Sequence, residues 1–365
     1  MKKIIAATVL TAAAAQVPAY AGTLDAAIGG IDFNVGGFGT YGVVGTNTNS
    51  AQFVRGIQAS GADETLNDKV DSNLAIQVTA RVNSWLSATV QVLDAQHTYS
   101  KYLTAEVSWA YLKLDPVTNL SVKLGRVEMP LFAISDSRDV NYANTWIRPP
   151  NEVYSLANIT ELNGGEATYS LPLGSTHLAL TGFAGNSTAY TNPTSQYNAW
   201  DVHGGELRWE SDWLTVRGGI ATCEPELSPG VHDTYTFSGV GLIVDHNNIV
   251  AQAELVWRKS AGYAQYVNSS GWYVLGGYRL GQVLPYVSYA STTKSTQPDI
   301  VGALSYDQRS QTLGVRWDAF KSADLKFQLE RVDPRGTTGI SFTQTAPGFG
   351  DKTVTVMSLA LDFVF

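Results

Sequence analysis

Residues 353–365, TVTVMSLALDFVF, decide the fold. From Met357 every second residue is large and apolar: Met357, Leu359, Leu361, Phe363 and Phe365. Between them fall Ser358, Ala360 and Asp362. A period of two puts the two sets on opposite faces of a β-strand, one suited to lipid and the other to water.

The same alternation runs upstream through most of the chain. Phe33, Val35, Gly37, Gly39, Tyr41 and Val43 share one face of a first strand. Leu74, Ile76, Val78 and Ala80 alternate with Asn73, Gln77, Thr79 and Arg81. Leu103, Ala105, Val107, Trp109 and Tyr111 make another apolar row, with Glu106 and Ser108 opposite. Leu207 and Trp209 oppose Glu206, Arg208 and Glu210, and Val216 and Ile220 oppose Arg217. Ile249, Ala251, Ala253, Leu255 and Trp257 oppose Glu254 and Arg258, and Leu313, Val315 and Trp317 oppose Arg316. Only the segment Val283–Ala290, interrupted by Pro285, has no clear phase. About sixteen such segments, each long enough to cross a hydrocarbon layer on a tilt, predict an all-β, transmembrane antiparallel barrel.

The connections sort themselves in the same sense. Short ones fall at Asn83-Ser84, Pro116–Asn119, Pro172–Ser175, Ser211-Asp212, Asp245–Asn248, Gly281-Gln282 and Lys321–Ala323. Long ones fall near 45–68, 95–101, 130–163, 185–199, 223–233, 259–270, 291–305 and 333–351. Short turns on one side and long loops on the other are what a membrane barrel shows.

Residues 1–21 read as an export signal. Lys2 and Lys3 precede an apolar run, and Ala19-Tyr20-Ala21 has the form of a processing site. Residues 22–365 then form one barrel domain. Without Lys2 and Lys3, 22 basic residues face 32 acidic ones, a net charge of −10. That balance lacks the footprint of a nucleic-acid-binding protein. With one cysteine, Cys223, the chain cannot be held by an internal disulfide, and ladder closure has to supply the stability.

A barrel this wide is not filled by its own wall side chains, so its lumen is expected to hold water. The inward faces carry Arg81, Glu106, Glu206, Arg208, Arg217, Arg258 and Arg316, and these are the candidate pore-wall residues. Charge on such a wall tunes ion selectivity. The third long connection, 130–163, contains apolar residues and is stiffened by Pro149-Pro150. It is expected to fold into the lumen, with Asp136, Arg138, Asp139, Arg148 and Glu152 as constriction candidates.

The export signal, the sixteen-strand pattern, the third-loop insertion and the terminal Leu361-Asp362-Phe363-Val364-Phe365 together resemble the trimeric general porins of Gram-negative bacteria. The segment from Leu124-Gly125-Arg126 to Trp146-Ile147-Arg148-Pro149-Pro150 is also similar to a less-studied group of proteobacterial porins. The resemblance implies an outer-membrane channel for passive diffusion of ions and small hydrophilic solutes, with weak selectivity tilted to cations by the net charge. It implies contact with membrane lipid and lipopolysaccharide, a homotrimer, and Phe365 as the signal read by the barrel-assembly machinery. Outward Gly37 and Gly39 would admit a neighbouring barrel closely. The loop mixes signs at Asp136, Arg138 and Asp139, where general porins set an acidic stretch against a basic wall.

Two rival readings remain at this stage: a channel selective for sugars, phosphate or carboxylates, and an outer-membrane enzyme or adhesin. The five histidines show no metal-ligand spacing, and no cofactor is implied. Gly37-Phe38-Gly39-Thr40-Tyr41-Gly42 matches a dinucleotide fingerprint but lies within a strand with no helix after it. Trp109, Tyr111, Trp209, Trp257, Trp272, Trp317 and Phe365 are expected in interfacial girdles.

Overall fold

The computed structural model describes residues 24–192, 195–228, 230–261, 268–294, 307–335, 338–350 and 352–365. The expected export segment, residues 1–21, lies outside the described residues, as do half of the connection at 259–270 and most of that at 291–305. The wall begins with β1 (Ile31–Thr46), β2 (Asn73–Arg81), β3 (Leu86–Gln96) and β4 (Leu103–Val117). It continues through β5 (Leu120–Glu128), β6 (Glu161–Leu173), β7 (Thr176–Asn192) and β8 (Ser195–Glu210). Then come β9 (Leu214–Ser228), β10 (Tyr235–His246), β11 (Ile249–Ser260) and β12 (Ser269–Tyr278). The last four are β13 (Val283–Lys294), β14 (Gln308–Trp317), β15 (Ala323–Pro334) and β16 (Val354–Val364).

Each strand pairs antiparallel with the next, and β16 pairs back onto β1 from Phe38↔Val364 to Thr46↔Val356. The sheet therefore closes with no free edge, the condition for a strand wall in hydrocarbon, where an unpaired backbone group costs several kcal/mol. In β16, Val356, Ser358, Ala360 and Asp362 are buried inside, while Met357, Leu359 and Leu361 are exposed outside. The unclear strand β13 resolves with Leu284 and Tyr286 inward and Val287 outward.

Three sequence expectations change. Trp109 pairs with Gln91 but Val107 with Val92, so Ser108 is an extra residue in β4. Such a bulge shifts the phase of alternation. Trp109 and Tyr111 consequently sit opposite the buried Gln91 and Thr89, on the lumen side, and do not belong to a lipid-facing girdle. The expected loop at 185–199 is instead a tall hairpin in which β7 and β8 stay paired out to Asn192↔Ser195. Its Asn, Ser and Thr residues read as loop formers, yet Ala189 and Ala199 are buried and the pairing continues, with register shifts at Ser195/Gln196 and Ala199/Val202. Finally, the gap outside Gly37 and Gly39 is closed by the chain itself. A Cβ at Gly37 would lie 2.4 Å from the Phe365 ring, and one at Gly39 would lie 2.5 Å from the Phe363 ring. These glycines admit the terminal phenylalanines of their own barrel, leaving no space there for a neighbouring one.

The third loop, residues 129–160, folds into the lumen and is fastened to the inner wall along its length. Arg217 of β9 donates to the carbonyls of Pro130 (2.7 Å) and Leu131 (2.8 Å). Glu254 of β11 accepts the Ala133 N–H (2.8 Å) and the Tyr154 hydroxyl (2.9 Å). Farther down, Lys326 donates to the carbonyls of Asn141 (2.6 Å) and Trp146 (3.1 Å). Arg316 donates to those of Tyr142 (2.7 Å) and Asn144 (2.8 Å). The Tyr142 hydroxyl reaches Lys321 O in the short β14–β15 turn, so the loop runs nearly the full depth of the barrel. Phe132 packs between Tyr154 and Phe237, and Trp146 meets Tyr273 edge-on. A wall glycine makes this fit possible: a Cβ at Gly271 would lie 2.0 Å from Glu152 O. Above β1, β15 and β16, the first and last long loops enclose a second dry cluster around Phe53, Phe342 and Phe349. The part of the lumen under these loops is therefore packed.

Two stability outcomes follow from this packing. Gly37→Ala places a methyl against the Ala75 carbonyl and the Phe365 ring and should cost about 1–3 kcal/mol in urea unfolding. Gly276→Ala, where a Cβ meets nothing within 4 Å, should be neutral in the same assay. Lys326→Met leaves the fully buried Asp362 without its cation, while Asp324 keeps Arg316, and should cost roughly 3–5 kcal/mol. Limited proteolysis should then cut the third loop faster. Equal cleavage of variant and wild type would mean that Lys326 does not hold it.

Candidate functional site

Loop 3 lies mainly along β9–β16 and also meets β2 and β3 through Asp139 and Val140, so the inner wall it leaves open is mainly that of β3–β8. At its outer end lies a vestibule of about 420 Å³, lined by Arg55, His97, Tyr99, Glu106, Arg126, Arg138, Asp139, Glu161 and Tyr190 among others. Its charges are matched in pairs: Arg126 with Glu161 (2.9 Å), Arg55 with Asp139 (3.3 Å) and Arg138 with Glu128 (3.7 Å). Burial would raise the pKa of Asp139, but Arg138 and Arg55 outweigh it and hold the carboxyl below its usual range. The Tyr99 hydroxyl donates to Glu106 (2.5 Å), and its ring stacks on His97 and lies 5.0 Å from that of Tyr190. Burial, then the neighbouring Glu106, keeps the Tyr99 phenol protonated far above its usual range.

Deeper in, Asp136 projects from the short helical turn Ser135–Ser137 of loop 3. It acts electrostatically on Tyr111, Lys123, Glu166 and Arg208. On the wall Lys123 pairs with Glu166 (2.8 Å), and Arg208 pairs with Glu206 (3.3 Å) and Glu210 (3.6 Å). A loop carboxylate here faces two wall cations that have their own counter-ions. The uncharged wall around it is hydroxyl and amide. Thr79 meets Thr89, Thr168 meets Thr181, and Gln91 bonds Gln77 and Ser108.

The candidates named from the sequence are spread over three settings. Asp136 lies near Lys123 and Arg208 of the wall, and Arg138 and Asp139 line the vestibule. Arg148 is buried, paired with Asp71 and Glu330, bonded to Ser358 and laid over the Phe53 ring. Glu152 is fully buried and accepts a bond from Gln308 (2.8 Å); burial raises its carboxyl against that bond. On the wall, Glu106 faces the vestibule and Arg208 lies near Asp136, while Arg81 is exposed opposite Asp32 at the far end. Glu206 is shared between Arg208 and Arg217. Arg217 and Arg316 grip loop 3, and Arg258 donates to Leu156 O at the loop's return (3.2 Å). Phe365 lies outside, over Gly37.

Sequence reading passed over Lys123, Glu166, Arg55, Arg126 and Glu161. Lys123 and Glu166 had a usable signal, since each sits one step out of phase with an apolar row, Val122-Leu124 and Ala167-Tyr169. Arg55 lies in an irregular loop and had none. No group of three or more His, Cys, Asp or Glu among the described residues is placed to hold a metal ion.

No protein-family model matches the sequence, and no curated protein is similar to it. Solved structures do match over nearly the whole chain. The anion-selective porin from Comamonas acidovorans is 14% identical, over 92% of this chain and all of that one, with a TM-score of 0.62. Salmonella typhi OmpF, solved in complex with daunomycin, is 13% identical over 94% and 100%, with a TM-score of 0.63. The outer-membrane channel DcaP of Acinetobacter baumannii is 13% identical over 92% and 98%, with a TM-score of 0.61. The chain thus has the fold of the sixteen-stranded outer-membrane porins.

Proposed function

We propose that this protein is a porin-type channel of the outer membrane, exported by its N-terminal signal and passing ions and small hydrophilic solutes by passive diffusion. The observation that carries the reading is the inward third loop, which leaves one polar, charge-lined route beside it within a closed barrel. Asp136, Lys123 and Arg208 form the constriction, and Arg138 and Asp139 its outer lip. Arg148 and Glu152 set its shape by fixing the loop. Phe365 serves as the assembly signal for the barrel-assembly machinery, and the barrel works as a homotrimer among lipid and lipopolysaccharide. No catalytic role is assigned to any residue.

Selectivity is weak because the charges along the route are already paired, and a pair presents a dipole to a passing ion. The overall charge of −10 and the loop carboxylate Asp136 tilt it toward cations. A second reading, a channel selective for one solute class, is favoured by one observation. The route is confined to one side of the lumen and begins at the Tyr99 and Tyr190 rings.

Single-channel recording in a planar bilayer with a salt gradient tests both. Stable steps with a small cation-selective reversal potential are expected. Steps too small to resolve, or a current that saturates with one solute and is blocked by it, would replace diffusion by the selective channel. Asp136→Asn should shift the reversal potential toward anions. One unit charge several Å from the ion path in water is worth about 0.5 kcal/mol, so the cation-to-anion permeability ratio should fall by about twofold or more. An unchanged ratio would remove Asp136 from the constriction.

A further inference from the structure

The vestibule takes its uncommitted groups from two separate segments, and all of them are neutral. The β7–β8 hairpin stays paired beyond Asn186, the last β7 residue that meets β6. That extension carries Tyr190 and its cross-strand partner Gln196 into the cavity lining. Asn158 comes from the returning end of loop 3. None of these three side chains has a hydrogen-bond partner among the described residues. Across from the hairpin, the β3–β4 connection sets the Tyr99 ring parallel to that of His97 and 5.0 Å from that of Tyr190. The charges beside this aromatic strip are committed. Arg126 holds Glu161, Arg55 and Arg138 hold Asp139, and Glu106 receives the Tyr99 hydroxyl. Yet the side chains of Glu106 (40%), Asp139 (34%) and Glu161 (32%) keep enough exposed surface to accept further hydrogen bonds.

We propose that the vestibule binds a neutral pyranose sugar, one ring face against the Tyr190–Tyr99 strip and its hydroxyls on Gln196, Asn158 and the exposed carboxylates. The proposal rests on the channel reading and gives the mouth of the route a solute class. An ion finds no uncommitted charge here and would have to displace a counter-ion from a pair already formed. A hydroxyl is donor and acceptor at once, so it can add to a paired carboxylate without breaking the pair. The Gln196 and Asn158 amides also offer both a donor and an acceptor, which suits neighbouring hydroxyls on a ring. The aromatic strip supplies the second element of selection. Its electron-rich faces accept the polarised C–H face of a pyranose, which a linear polyol lacks. The cavity of about 420 Å³ lies in the range of small-molecule sites, about 300–1,000 Å³.

The full-length barrel is purified in a detergent without a sugar headgroup, and binding is followed by saturation-transfer difference NMR. The probes are cellobiose, the linear polyol sorbitol, and the ions glutamate and lysine. Cellobiose should bind saturably and at least about tenfold more tightly than the other three. Its affinity should be the same at about 0.05 M and about 0.5 M salt, since a neutral ligand has no charge to screen. Gln196→Ala and Tyr190→Leu should each weaken it by roughly threefold to tenfold, for the loss of one hydrogen bond and one ring face. Absence of saturable cellobiose binding would overturn the proposal. So would equal binding of sorbitol, tighter binding of either ion, or full affinity retained in both variants. The comparison of the four probes uses the wild-type protein, so it stands even if a variant does not fold. Binding is read in detergent, where nothing is conducted. A barrel that conducts as expected but takes up no sugar would sink this proposal alone, whereas bound sugar without resolvable conductance would remove the diffusion reading instead.

Discussion

Loop 3 stays inside the barrel because wall cations take its carbonyl oxygens. An irregular segment carries backbone acceptors that no ladder satisfies, and each one buried without a donor costs free energy comparable to a lost hydrogen bond. Arg217, and the cross-strand neighbours Arg316 and Lys326, supply these donors, each reaching two carbonyls. A cation with several N–H groups is suited to this, since one side chain serves two acceptors that are not in register with any strand. The wall must then neutralise these cations. Glu206 and Glu254 do so for Arg217, Asp318 and Asp324 for Arg316, and Asp324 and Asp362 for Lys326. Replacing such a network by apolar residues is often neutral for stability, so its value here is in fixing one loop path.

The outer face obeys a simpler constraint. Hydrocarbon accepts only apolar side chains and a fully paired backbone, so the alternation is strict there and the sheet closes on itself. The closing seam shows how tightly the two requirements combine. Phe365 exchanges both backbone bonds with Gly37, and its ring fills the space above the same glycine. The last residue thus completes the ladder and the apolar surface in one step.

The lipid face was legible in the sequence because burial there has a single cause, a period of two set by the pleat. The lumen face was legible only as a face. Alternation places Arg217, Lys326 and Asp362 inward, and it cannot tell a side chain in water from one sealed beneath a loop; all three proved almost fully buried. The same limit scattered the constriction candidates. Asp136 and Glu152 are both loop-3 carboxylates, yet one faces the open route and the other bonds Gln308 in the packed half. The bulge at Ser108 was invisible for a different reason. Its two-for-one pairing is a relation between β3 and β4, and Trp109 and Tyr111 continue the apolar row without a break in composition.

The packed half also bears on what the open half can do. Loops and ion networks occupy the wall from β9 round to β1 and reach β2, so in the proposed channel a solute meets protein charge mainly from β3–β8 and from the exposed edge of loop 3. On that surface nearly every cation has a carboxylate within about the length of a contact ion pair. Lys123 with Glu166 and Arg126 with Glu161 are the clearest cases. A lining of this kind presents closely spaced dipoles, and their fields fall off faster with distance than the field of a lone charge. Water and polar solutes can exchange hydrogen bonds with it, while an ion several Å away feels little net pull. Asp136 stands apart, because it belongs to the loop and faces wall cations that already have partners. In the proposed channel its charge is the one that tilts the passage toward cations.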